Sequence, residues 1–212
     1  MKKLLGLTIA ALLIIGMVGG GTWAYFSDVE TSGANTLTAG TLNLQVGAAD
    51  PTTVVITVTD ANPGQSGAAD WLLKNDGTLG GYLDISFSGI VDAENGVNEP
   101  EDADAGEDGT VGSPGTNGEL AENLTLLIYI DENDNNAYNA GTDTLIFNDK
   151  VKGGTTNLVD AVVDDYSMAA GYGSGDNKAI RIEWSVDSSI TDLIQSDSTG
   201  FTINFSLEQT AD

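Results

Sequence analysis

Apolar and polar residues alternate with a period of two at Leu42, Leu44 and Val46, at Val54, Ile56 and Val58, and at Leu83, Ile85 and Phe87. The same spacing returns at Ile180, Ile182, Trp184 and Val186, and at Phe201, Ile203, Phe205 and Leu207. Successive side chains on a strand face opposite ways, so each stretch reads as a strand with one buried face. Trp71 to Asn75 and Leu124 to Asp131 are apolar runs whose β-branched and aromatic content suits strands, and Thr144 to Phe147 is the expected partner of the second. Gly, Asn and Asp turns separate about eight such segments without interleaved helices. The fold class expected is therefore all-β, an antiparallel two-sheet sandwich or jelly roll. Leu158, Ala161 and Val162, spaced by three and four, predict one short helix within Thr156 to Val163. Trp71 and Trp184 lie in apolar strands and read as core rather than as a sugar-stacking face.

Residues 92–119 break the pattern. Asp92, Glu94, Glu99, Glu101, Asp102, Asp104, Glu107, Asp108 and Glu119 stand among Gly, Pro and Ala, which reads as a solvated acidic insertion between strands. Over the whole chain 32 acidic residues face 7 basic ones, a net charge of -25. Such a field repels phosphate backbones and anionic headgroups, so nucleic acid is not an expected partner. The chain has no His and no Cys. That excludes Ser-His-Asp and Cys-His nucleophile pairs, His-ligated zinc and thiolate sites, and the residues point to no enzyme activity. Cationic partners stay open, calcium first.

Lys2 and Lys3 precede an apolar run from Leu4 to Val18, and Thr22 and Ala24 supply small residues before Tyr25. This is the layout of an export signal over residues 1–24 cut between Ala24 and Tyr25, and the run is shorter than the ~20 apolar residues of a membrane span. A retained anchor is the other reading. On the first, signal peptidase is a partner, the membrane is met only before processing, and the product is secreted or held at the cell surface. Loss of Lys2 and Lys3 then takes the net charge to -27.

Two segments carry chemistry. From Asp131, oxygen-bearing side chains fall at the first (Asp131), third (Asn133), fifth (Asn135) and ninth (Asn139) positions, with the Ala137 carbonyl at the seventh. A turning backbone brings such a set around calcium at about 2.3–2.6 Å. Asn136 stands where glycine normally turns the chain, and Thr142 takes the twelfth position, with the acid displaced to Asp143; a polar hairpin tip is the alternative. The second segment follows the cut. Tyr25, Phe26 and Val29 lie on a free terminal run without a hairpin partner beside it, and Tyr25 to Ala34 would span about 33 Å if extended. Such a run can add to the sheet edge of another molecule, fold back on its own domain or stay disordered.

The junction Gly20-Gly21-Thr22-Trp23-Ala24-Tyr25-Phe26-Ser27-Asp28, followed by Thr38-Ala39-Gly40-Thr41-Leu42-Asn43-Leu44, resembles the start of the TasA/camelysin family of secreted fibre-forming proteins. Asn62-Pro63-Gly64-Gln65-Ser66, Asn75-Asp76-Gly77-Thr78-Leu79 and the segment from Leu193 to Gln209 are similar to later blocks of that family in the same order. The resemblance implies donor-strand complementation, in which the N-terminal segment of one subunit (here residues 25–35) completes the sandwich of the next (residues 36–212), giving a homopolymer of biofilm matrix or a surface pilus. It also raises a metallo-endopeptidase reading, because camelysin-like members carry that description. A calcium-dependent carbohydrate-binding module is the third alternative.

Overall fold

A computed structural model describes residues 40–47, 53–97, 101–103, 118–172 and 178–211. The chain divides into Met1–Ala39 and Gly40–Asp212. Residues 1–39, and with them the signal, the cut at Ala24 and Tyr25, and the assembly residues Phe26 and Val29, lie outside the described residues.

Among the described residues nine strands form two antiparallel sheets. The first orders β1 (Leu44–Val46), β3 (Ser66–Asn75), β8 (Ala179–Val186), β5 (Leu124–Asp131) and β6 (Thr144–Lys150). The second orders β2 (Thr53–Thr59), β9 (Ser198–Glu208), β4 (Gly81–Ala93) and β7 (Val162–Met168). The core is built from the alternating inward faces: Leu124, Leu126, Ile128 and Ile130 of β5 and Ile180 and Ile182 of β8 meet Leu83, Ile85 and Phe87 of β4 and Phe201, Ile203 and Phe205 of β9. Each such side chain fully buried contributes ~1.5–3 kcal/mol. Phe87 and Phe201 meet edge to face, centroids 6.1 Å apart. Trp71 and Trp184 are half-buried against this core, as their strand positions require.

Two expectations need correction. Thr156 to Val163 does not form an α-helix: Leu158–Asp160 makes a single 3-10 turn that buries Leu158, and Val162 opens strand β7. The α-helix lies elsewhere, as the four-residue α1 (Leu120–Asn123) leading into β5. Nor are the acids of residues 92–119 uniformly solvated. Strand β4 runs to Ala93, and Glu94 and Glu101 are buried.

The segment from Gly40 to Leu44 interlocks with the one from Asn75 to Leu79. Thr41 donates its N–H to Thr78 Oγ1 at 2.9 Å, and its carbonyl accepts from Thr78 N (2.8 Å) and Leu79 N (3.0 Å). Asn43 O accepts from Asp76 N at 2.9 Å. Two glycines permit the approach: a Cβ on Gly77 would lie 2.3 Å from Thr41 O, and one on Gly40 would lie 2.4 Å from Leu79 Cγ. Buried Asn75 pins the turn, accepting from Gly77 N at 3.0 Å and donating to Leu79 O at 2.9 Å and Met168 O at 3.3 Å. The spacing Asn-x-Gly-x-Leu is thus one structural unit.

Candidate functional site

Among the described residues strand β6 pairs only with β5, and β7 only with β4, so both are edges of the described sheets. The chain between them is shaped by Asp149. Its Oδ2 accepts from Thr155 N (2.6 Å) and Oγ1 (2.8 Å) and from Thr156 N (2.9 Å), and its Oδ1 accepts from Lys150 N (2.8 Å). The Thr155 hydroxyl first, then the backbone N–H groups, hold this carboxyl well below the usual range. Gly154 leaves room for it, since a Cβ there would sit 2.4 Å from Asp149 Oδ1.

Beyond this turn an open groove of roughly 640 Å³ runs beside Leu145, Ile146 and Phe147 on one wall and Asn157, Ala161 and Val162 on the other. Leu145 is 46% exposed and Val162 61%, so two of the five exposed large apolar side chains among the described residues line this groove, and Val159, 49% exposed, lies in the 3-10 turn that precedes Val162. Edge strands carry unpaired N–H and C=O groups, and an apolar groove beside such an edge can take an extended segment by main-chain pairing, with alternate side chains entering the groove. Sequence reasoning missed the wall formed by Val162, because the residues around it were read as helix.

The six residues expected to ligate calcium share one turn after β5. Asp131, 2% exposed, accepts at Oδ1 from Asn133 N (3.2 Å) and Asn135 N (3.4 Å) and at Oδ2 from Asn136 N (2.8 Å). Asp143, 7% exposed, accepts from Glu132 N (3.1 Å) and Asn139 N (2.6 Å), and Asn133 Nδ2 reaches its Oδ1 at 3.5 Å. Asn135 Oδ1 accepts from Ala137 N and Asn139 Nδ2, and the Ala137 carbonyl accepts from Asn139 Nδ2. Asn136, in the place of the usual glycine, takes φ 58°, a left-handed conformation that Asn tolerates, and Arg181 Nη1 donates to its side chain at 2.9 Å. The displaced acid Asp143, not Thr142, closes the turn. Both carboxylates already hold turn N–H groups, so an ion would share them with those donors.

Behind this turn, Glu132 accepts from Tyr166 Oη at 2.5 Å and pairs with Lys178 at 3.4 Å. Burial, then the Glu132 and Tyr172 hydrogen bonds, push the Tyr166 hydroxyl far up, so it stays a donor. The link ties the acidic turn to β7 across the two sheets.

The described residues thus define an all-β protein of two antiparallel sheets joined by acidic turns. The chain is a member of the TasA/camelysin family: the family model described as camelysin metallo-endopeptidase matches residues 1–111. That span contains the interlocked Gly40–Leu44 and Asn75–Leu79 blocks. Over 80 residues the chain is 38% identical to the major biofilm matrix component of Bacillus subtilis (strain 168), covering 37% of this chain and 29% of that protein. The likeness thus spans less than a third of the relative's length.

Proposed function

We propose that the chain is a secreted structural subunit that polymerises head to tail into extracellular fibres, of biofilm matrix or of a surface pilus, after signal peptidase frees its N-terminus. The donor strand is drawn from residues 25–35, and the acceptor is the groove between β6 and β7. The observation that carries this reading is that groove: an open edge with exposed Leu145 and Val162 beside it, in a family whose matched relative is a matrix component. A contact of this kind uses different surfaces on the two copies and does not close, so it propagates as a filament. The peptidase activity in the family's description has less behind it, since a zinc site here would rest on carboxylates alone and oxygen-only sets suit calcium or magnesium better.

Replacing Leu145 and Val162 together with Glu tests the acceptor. The variant keeps the melting temperature of the parent, because exposed positions change stability by only ~0.5 kcal/mol. In electron micrographs and pelleting assays it yields no filaments. Filaments of normal length would place the acceptor on another edge.

Calcium at the 131–143 turn belongs to the same proposal. Subunits at -27 repel one another over a screening length of about 8–10 Å, so bound cations and salt both favour assembly. Replacing Asp131, Asn133 and Asn135 with Ala reduces the gain in melting temperature that calcium produces. An undiminished gain in the triple variant rejects the turn as a site.

A further inference from the structure

Three carboxylates far apart in sequence meet inside the protein on the side away from the 131–143 turn's ligands. Glu94 follows the end of β4, Glu101 sits in a 3-10 turn at Glu101–Ala103, and Asp197 precedes β9. Their exposures are 3%, 0% and 0%, and one oxygen from each lies within 4.8 Å of the other two. Calcium–oxygen distances of about 2.3–2.6 Å put ligands on opposite sides of one ion about 5 Å apart, so this spacing suits oxygens arranged around a shared cation.

Two of the carboxylates are held by backbone N–H groups at one oxygen and by none at the other. Glu94 Oε1 accepts from Gly96 N at 2.6 Å, while Glu94 Oε2 is buried with no hydrogen-bond partner. Asp197 Oδ2 accepts from Glu119 N at 2.6 Å and Leu120 N at 2.9 Å, while Asp197 Oδ1 is likewise buried without an N–H donor, the Glu94 carboxyl being the acid it faces. The backbone thus fixes both orientations and leaves an oxygen of each unspent. Gly118 leaves room beside Asp197 Oδ1: a Cβ at that position would lie 2.9 Å from this oxygen and 2.9 Å from the Ala93 carbonyl. No Lys or Arg forms a salt bridge with Glu94 or Asp197 among the described residues; Lys152 pairs instead with Asp92 and Glu122. Carboxylates removed from water and from cations are costly, and buried charges are ordinarily paired or coordinate a metal. Burial pushes the Asp197 carboxyl up, the Leu120 N–H works against it, and the hydrogen bond and charge of the Glu94 carboxyl add to the rise, so the two acids face each other directly.

We infer that Glu94, Glu101 and Asp197 form a buried site for a divalent cation, calcium by the chemistry of an oxygen-only set. The ion joins the end of β4, the 3-10 turn at Glu101, and the corner entering β9, and through Asp197 it steadies the N–H groups that open α1. It clamps the two described ends of the acidic insertion to the sandwich. This inference stands apart from fibre assembly and from the 131–143 turn.

The test uses the protein stripped with EDTA and then titrated with calcium chloride, read by melting temperature and calorimetry, in the background carrying Ala at 131, 133 and 135 and in the parent. The triple variant gains about 5–10 °C at a hundredfold excess over Kd, and the parent gains more, by the share of the 131–143 turn. Asp197→Asn and Glu94→Gln each remove that gain from the triple variant and one equivalent of calcium from the parent. Each amide mimics a protonated acid, so both variants fold in EDTA at least as well as the parent. A gain that survives both substitutions overturns the site. So does a parent indifferent to calcium in which Asp197→Asn simply raises the melting temperature, the result expected of carboxyls sharing a proton.

Discussion

On the proposed donor-strand reading, deleting Tyr25 to Ala34 leaves a folded monomer that no longer polymerises. Every strand described in the two sheets comes from residues beyond Gly40, so the deletion removes none of them and the melting temperature of the isolated subunit stays unchanged. What disappears is the donor. Burial of Phe26 and Val29 in a neighbour supplies ~1.5–3 kcal/mol each, and every main-chain hydrogen bond along the edge adds ~0.5–1.5 kcal/mol. Their joint loss takes the association out of any accessible concentration range. Sedimentation then shows a single slow species where the chain starting at Tyr25 pellets as filaments. A synthetic peptide of residues 25–34, in excess, caps the acceptor and shortens the filaments of the intact subunit. Filaments assembled by the truncated protein would contradict the donor assignment.

The second large effect is on stability. Asn75→Ala costs about 2–4 kcal/mol, because it strips a buried amide that serves both sides of a corner. The Gly77 N–H loses its acceptor and the carbonyls of Leu79 and Met168 lose the amide donor at once, while Ala169 O keeps only Tyr172 N–H, in a place where Asn75 is fully buried. For a domain of this size the melting temperature falls by about 5–15 °C. Thermal unfolding followed by circular dichroism measures it, and a drop of under 2 °C would show that the corner is held by the backbone bonds of Thr41 and Asn43 alone.

Strands with one wet face were readable because alternation at period two is a local signal: β2, β4, β8 and β9 fall where their patterns lie. Strand β7 was hidden by its irregularity. Asp165 takes φ 55° and the register with β4 slips between Leu83 and Ile85, so Val163, Tyr166 and Met168 reach the interior without a constant spacing. The preceding Leu158, Ala161 and Val162 mimic a helical stripe although only Leu158 is fully buried. The ligand-like turn from Asp131 to Asn139 was legible for the same reason as the strands, all its members being within one short segment. Glu94, Glu101 and Asp197 were not. Roughly a hundred residues separate Glu94 from Asp197, and only the pairing of Ala93 with Ser198 in the β4–β9 ladder brings them together. A groove between edges of two different sheets is equally a product of topology, and no run of residues announces it.

The interlock of Gly40–Leu44 with Asn75–Leu79 also fixes how force would travel. Whatever tugs on the chain ahead of Gly40 meets the Thr41–Thr78, Thr41–Leu79 and Asn43–Asp76 links, then the ladder of β1 on β3, before any load reaches the apolar interior. Bonds that lie across the direction of pull share a load and yield together, whereas bonds peeled from one end yield singly. A rope whose strands are tied this way parts at its knots only after the knots have tightened.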